Sequence, residues 1–252
     1  MPSKQAAYRA YRLNQDIESL EAIVDLRQWD LLGAKIDPAD YVGEDCYLGL
    51  DLSDKRDLTS LAIWFPIRRV LWCVSWLPDD VLAERETVDR APYTAWRDLG
   101  LLETTPGPVI DIKVILDKIV EYMEMYNVLE LRYDRWNISV LKVLADRHSV
   151  RLPKTRDFGQ GYKDMGPAVA TLGEMVATGD FKHDDNPVSN MGIRNCRGRP
   201  DPSSTSDAVK PVKIREELRI DPAVAILEAV APEVELPVKK LDPKKLIMEP
   251  VL

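Results

Sequence analysis

Three aspartates carry the chemistry that this chain could do. Asp51 closes the apolar run "YLGLD", Asp134 closes "VLELRYD", and Asp221 precedes Pro222 in "RIDPAVAILEAVA". In an α/β sheet the carboxyl ends of strands open onto the crevice where ligands bind, so the first two acids emerge at one edge if their strands are neighbours. Asp221 stands at the start of the last helix, in a register that can aim it at the same edge. Carboxylates that converge without a basic partner repel one another and resist ionising; divalent cations remove that repulsion. Oxygen donors in a chain with only two histidines suit Mg2+ or Mn2+ better than zinc. Two such ions ~3.5–4 Å apart form the clamp for in-line phosphodiester cleavage. Each acid also has a plainer reading. Asp51 and Asp134 could be turn residues or helix caps, and Asp221 a cap beside a proline in the first helical turn.

The elements that must place these acids read as a mixed sheet. The spacing over 5–32 is helical, an amphipathic arm with Trp29 on its apolar side. A strand is predicted over 47–52, followed by "LTSLAIWF" and "RVLWCVSWL" across a short break at 66–68. These three form an antiparallel meander. Residues 78–100 turn helical and acidic, and "TTPGPVID" is a breaker-rich loop. Helices are predicted over 111–126, 137–148 and 166–178, with strands at 128–134 and in "VRLPKT". The stretch "GDFKHDDNPVSNMGIRNCRGRPDPSSTSDAVKPVKIREELRI" is polar and irregular, and "IDPAVAILEAVA" closes the fold as a helix. The expectation is an α/β domain over 42–231, with three antiparallel strands followed by parallel ones, flanked by helices. Residues 1–41 form a helical arm or linker and 232–252 an extended, proline- and lysine-containing tail.

Bulk composition limits the options without choosing among them. The chain has 252 residues, 45% apolar and 30% charged, an ordinary globular balance. No apolar run approaches the ~20 residues that span a bilayer, and "MPSKQAAYRAYRLNQD" lacks the apolar core of a signal peptide. The three cysteines, Cys46, Cys73 and Cys196, are few and widely spaced, which suits a reducing compartment and neither a disulfide framework nor a zinc knot. A net charge of −8 argues against nucleic-acid binding by the whole surface but not against a local basic groove.

In order along the chain, "GLDLSDKRDLTSLAIWFP", "YDRWN" and "RIDPAVAILEAVA" resemble the nuclease domain of the large terminase subunit of tailed bacteriophages. The connecting segments "APYTAWRDLGLLETTPGPVIDIKVI" and "GQGYKDMGPAVATLGEMVATGDFKHDDNPV" resemble it too, and the likeness covers most of 8–231. The resemblance implies an RNase H-like fold whose acids bind two divalent cations, Mg2+ or Mn2+, and cut concatemeric viral DNA during packaging in the host cytoplasm. Carried over by position, the metal ligands are Asp51, Asp134 and Asp221. Asp57 is a weaker candidate as ligand or structural partner. Lys213 roughly occupies a family lysine position and Asn195 a family asparagine position. The implied partners are double-stranded DNA, the terminase ATPase motor portion, the small terminase subunit and the portal. One departure is large: no G-x-x-x-x-G-K-[ST] phosphate loop occurs, so ATP-driven translocation is not assigned to this chain. It reads as an excised domain or a separately encoded nuclease half.

The remaining groups divide between DNA contact and plain structure. Arg194, Arg197 and Arg199, with Lys210, Lys213 and Arg215, put positive charge in an irregular segment beside the third acid, where it could track phosphates or simply be solvated. Trp64, Trp72 and Trp76 read as core, Trp136 as packing, His148 as a helix-end residue, His183 as a surface loop residue, and the cysteines as buried. Three other functions compete. One is another RNase H-like nuclease, of junction-resolvase, transposase or RNA–DNA hybrid type. Another is a docking module of the packaging machine that no longer cuts. The last is an actin-like ATP-binding fold, disfavoured because "DLSDKRDLT" has no glycine for close phosphate approach.

Overall fold

A computed structural model describes residues 20–52, 56–134, 138–202 and 208–234. In chain order the elements are β1 (Glu21–Ala22), α1 (Leu26–Leu31), β2 (Asp45–Asp51), β3 (Thr59–Phe65), β4 (Val70–Pro78), α2 (Leu82–Asp89), α3 (Tyr93–Asp98), β5 (Glu103–Thr105), α4 (Ile112–Met125), β6 (Asn127–Tyr133), α5 (Ile138–Arg147), β7 (Thr155–Asp157), α6 (Tyr162–Thr178), β8 (Lys182–His183), α7 (Pro187–Asn195), β9 (Cys196–Pro200), β10 (Val209–Lys213) and α8 (Asp221–Val230). The main sheet runs β5-β4-β3-β2-β6-β7, with β8 also pairing β4. β2, β3 and β4 form the predicted antiparallel meander, whereas β6 joins β2 in parallel. This is the expected mixed sheet.

Period-two alternation along β2 sets the layers. Leu48 and Leu50 face a core shared with α4 and α5, built from Ile115, Leu116, Ile119 and Leu141. Gly49 and Asp51 face the other way, toward α8. On that side α6, α7 and α8 pack with Trp29 over Ala62, Trp64 and Cys73. All nine residues from Pro222 to Val230 are buried, which explains why "PAVAILEAV" is apolar on every side but for Glu228 rather than along one stripe.

Gly49 permits this burial. A Cβ added there would lie 2.1 Å from the Ala225 carbonyl oxygen, 2.4 Å from the Ala229 nitrogen and 2.8 Å from Glu228 Cβ. The backbone of α8 therefore rests directly on β2. Gly192 of α7 plays the same part against Pro222, whose Cβ would be 2.9 Å from an added methyl.

Several expectations change on folding. The described part of the arm is not a continuous helix: Glu21–Ala22 pairs β9 as a strand, and the Asp25 side chain caps the short α1. Trp29 is fully buried and donates from Nε1 to Asn190 Oδ1 at 2.7 Å, so residues 20–41 are part of the body. "VRLPKT" yields its strand only from Thr155 onward, and the breaker-rich loop after Leu102 contains β5. The polar stretch is more ordered than its composition suggests, because β1, β9 and β10 form a second, antiparallel sheet. His183 is a correction. It is buried, stacked on Trp29 at 4.1 Å, with Nε2 2.8 Å from the Trp29 carbonyl. The aromatic stacking and this hydrogen bond outweigh the polarity of its neighbours. Trp64, Trp72, Trp76 and the three cysteines are buried as expected. His148 follows α5 at its carboxyl end, donating its N–H to the Leu144 carbonyl. Trp136, residues 5–19 of the arm and residues 235–252 of the tail lie outside the described residues; Ala231–Val234 is a short 3-10 turn.

Gly49→Val tests the close approach. Branched bulk at this spot pushes α8 off β2, and overpacking of this kind costs ~1–3 kcal/mol. The urea midpoint should fall accordingly; an unchanged midpoint would mean that α8 does not depend on this contact.

Candidate metal centre

Parallel pairing of β2 with β6 aligns Leu50 with Tyr133, so Asp51 and Asp134 leave the sheet side by side. Asp221 opens α8, which crosses the same face. Each of the three is half-buried. The Asp51 carboxyl is pushed well above the usual carboxylate range, first by burial and then by the charges of Asp221 and Asp134, with Lys213 opposing. Asp221 is raised as well, by burial and by Asp57, and its Oδ2 has no hydrogen-bond partner among the described residues. The three sequence-predicted acids are thus close enough to act on one another electrically. They are not drawn into a closed shell: among the described residues no group of three His, Cys, Asp or Glu side chains has metal-ligand geometry.

Arg219 fixes where α8 starts. Its guanidinium binds Asp57 Oδ2 through Nη1 and Asp89 Oδ2 through Nε at 3.1 Å, and Asp89 also accepts from the Tyr93 hydroxyl at 3.0 Å. The Arg219 carbonyl accepts from Asn195 Nδ2 at 3.1 Å. The turn after β2, the end of α2 and the end of α7 therefore meet two residues ahead of Asp221. Asp57 has a visible structural task here, while its charge still reaches Asp51 and Asp221.

The basic residues separate into groups. Lys213 ends β10 opposite Cys196 and is the cation that opposes the raised ionisation of both Asp51 and Asp221. Arg199 pairs in register with Lys210, and Arg197 with Val212, so Arg197, Arg199 and Lys210 lie on the other face of that small sheet. Lys210 Nζ sits 5.2 Å over the Tyr162 ring. Arg194 is exposed and bonded to Asp30 at 2.5 Å.

Sequence reasoning singled out neither Glu228 nor Asp184. Glu228 is fully buried, neither carboxylate oxygen has a hydrogen-bond partner among the described residues, and its carboxyl is pushed far up by burial and by Asp51 and Asp134. Its signal was present as the one charge in "AVAILEAVA", seven residues after Asp221. Asp184 lies against β4, accepting at 3.3 Å from both the Cys73 and Asn186 N–H groups, and burial raises its carboxyl to about 7. Nothing in "FKHDDN" marks which of its acids turns inward.

With this geometry in place, comparison with known proteins identifies the class. The chain belongs to the family of the terminase large subunit, endonuclease domain, whose model matches residues 2–235. It is 36% identical over 199 residues to the terminase large subunit of Enterobacteria phage HK97, covering 78% of this chain and 39% of that protein. Protein YmfN of Escherichia coli strain K12 is 30% identical over 205 residues, with 75% and 43% covered. The chain thus spans less than half the length of these curated relatives. The crystal structure of the HK97 large terminase matches with a TM-score of 0.76 at 33% identity, covering 92% of this chain and 47% of that one. The large terminase nuclease from thermophilic phage G20c matches with a TM-score of 0.56 at 10% identity, covering 84% and 98%, which establishes the shared RNase H-like fold. Crystal structures of that nuclease with bound magnesium and with bound cobalt share it too.

Two measurements probe this region. Arg219→Leu strands Asp89 in the interior and releases Asp57, and breaking a buried pair in this way costs ~3–5 kcal/mol. Urea unfolding should register the loss, and wild-type stability would disprove the clamp. For Asp184, the folded-state carboxyl lies above its ordinary value of 3.8, at about 7. The folded state then holds a proton that the unfolded chain gives up, so this residue's contribution is full below pH 3.8 and is lost as pH rises to about 7. In chelator-treated protein, the stability of Asp184→Asn relative to wild type should rise between pH 4 and pH 7, within the same window. A pH-independent difference would contradict the raised carboxyl.

Proposed function

We propose that this chain is a divalent-cation-dependent DNA endonuclease that cuts concatemeric viral DNA during phage genome packaging, with Asp51, Asp134 and Asp221 as the ligands. The observation that carries this reading is the buried Asp51 carboxyl, whose ionisation is opposed by Asp221 and Asp134 together. Such a group is unfavourable for folding alone and fits a site completed by cations. The donor set is all oxygen, which suits Mg2+ or Mn2+. The magnesium-bound form of the G20c nuclease supports the same choice.

A pair of bound ions would supply a water of lowered pKa as nucleophile and neutralise charge on the leaving oxygen. The chain's own residues do the rest. Asp51 and Asp134 hold their carboxylates at the carboxyl ends of adjacent strands, where the sheet fixes their separation. Asp221 approaches from the first turn of a helix that Arg219 and Gly49 keep from shifting. Lys213 offers positive charge beside Asp51 and Asp221, where a substrate phosphate would lie. Arg197, Arg199 and Lys210 provide a stripe for more distant phosphates, contacts that set register without reading sequence.

The cutting unit is residues 42–231, buttressed by the described part of the preceding arm, with 232–252 as a tail. The ATPase motor portion, the small subunit and the portal are its partners in the host cytoplasm, by its family membership. Cutting of plasmid DNA tests the reading. Asp51→Ala and Asp134→Ala should each abolish nicking in Mg2+ or Mn2+ while leaving the circular dichroism spectrum unchanged. Wild-type nicking by both variants would refute it.

A further inference from the structure

We propose that Glu228 is a fourth carboxylate of the metal centre, forming with Asp51 and Asp134 a deep cation position below the one that Asp221 serves. The inference rests on the reading of Asp51, Asp134 and Asp221 as ligands. Among the described residues, the other buried charged side chains are partnered. Arg132 donates to Glu130 at 2.7 Å, and Arg219 holds Asp89. Glu228 is the exception, with both oxygens enclosed and neither bonded among the described residues. A carboxyl in that state costs several kcal/mol if it serves packing alone. An apolar residue of similar size would fill the same space in "AVAILEAVA" without that cost.

The direction of the side chain gives the reason. Glu228 lies two helical turns beyond Asp221 on the same face of α8, and helical side chains lean back toward the N-terminus. Its Cβ rests against Gly49, and its carboxyl therefore runs toward the strand ends that carry Asp51 and Asp134. These are the two charges that act on it most strongly; the Leu50 amide and the Arg132 guanidinium oppose them only in part. Along the helix, the Cα atoms of Asp221 and Glu228 are about 10 Å apart. The two acids therefore reach the strand ends from different levels of α8, Asp221 from its first turn and Glu228 from two turns further on. Asp221 is half-buried and meets the open side, whereas Glu228 is enclosed and forms the floor.

The test uses the full chain, Glu228→Gln and Asp51→Asn, with Mn2+ as the probe. Isothermal titration gives affinity and stoichiometry, and thermal unfolding in chelator gives stability without metal. Glu228→Gln should melt at or above the wild-type temperature in chelator, because an uncompensated carboxyl has been removed. It should also bind Mn2+ at least about tenfold more weakly, the lower end of what disturbing even a ligand's support costs. If Glu228→Gln binds Mn2+ as wild type does while Asp51→Asn fails to bind, the three-aspartate site stands and the role of Glu228 is overturned. If wild type itself binds no Mn2+, the metal-site reading and this inference fall together. Should Glu228→Gln not fold, wild-type protein labelled with 13C-glutamate decides by infrared difference spectroscopy on Mn2+ addition. A new coordinated-carboxylate band from glutamate supports the fourth ligand, and unchanged glutamate bands overturn it.

Discussion

Repulsion among carboxylates held at the junction of β2, β6 and α8 is the constraint on which the rest of this structure turns. Asp51 and Asp134 are fixed by the sheet, and Asp221 and Glu228 by a helix with no freedom to retreat. Like charges in a low-dielectric setting resist ionising and push apart. The fold nonetheless packs a helix that is buried from Pro222 to Val230 against them. That choice is costly for a chain selected for stability alone and sensible for one that must present oxygen donors to cations.

The surrounding structure overdetermines the junction. Gly49 removes the side chain that would keep α8 away, so helix backbone and strand backbone touch. Arg219 gathers Asp57, Asp89 and, through its carbonyl, Asn195, tying three separate segments to the first turn of α8. Asp57 is therefore best understood through its ion pair: it locates the third acid whether or not it touches an ion. Lys213 arrives from a different sheet, formed by β1, β9 and β10, and supplies compensating charge to Asp51 and Asp221. Site and scaffold are the same set of contacts here.

Much of this was legible in the residues. The meander, the strand ending at Asp134 and the helix opening at Asp221 each have a strong local pattern, and the mixed sheet follows from them, while the RNase H-like fold was implied by the family resemblance. The terminase motifs raised three individually ambiguous acids to a set. What escaped notice has physical reasons. Glu228 was hidden because a lone acid in an apolar helix looks like its solvent face, and only burial of the whole helix removes that face. His183 and Asp184 sit in a polar segment whose inward turn is decided by stacking on Trp29 and by the amides of Cys73 and Asn186, contacts more than a hundred residues distant in sequence for Trp29 and Cys73. The short strands β1, β9 and β10 have too little periodicity to announce themselves, and their pairing is set by partners far apart in the chain.

The central claim is that these buried acids share cations, and anomalous diffraction from a crystal soaked in Mn2+ tests it most directly. The expected result is anomalous density between β2, β6 and the start of α8, with Asp51 a ligand and Asp134 and Asp221 completing the coordination. Anomalous density confined to exposed surface acids, with those three carboxylates bare, would contradict it.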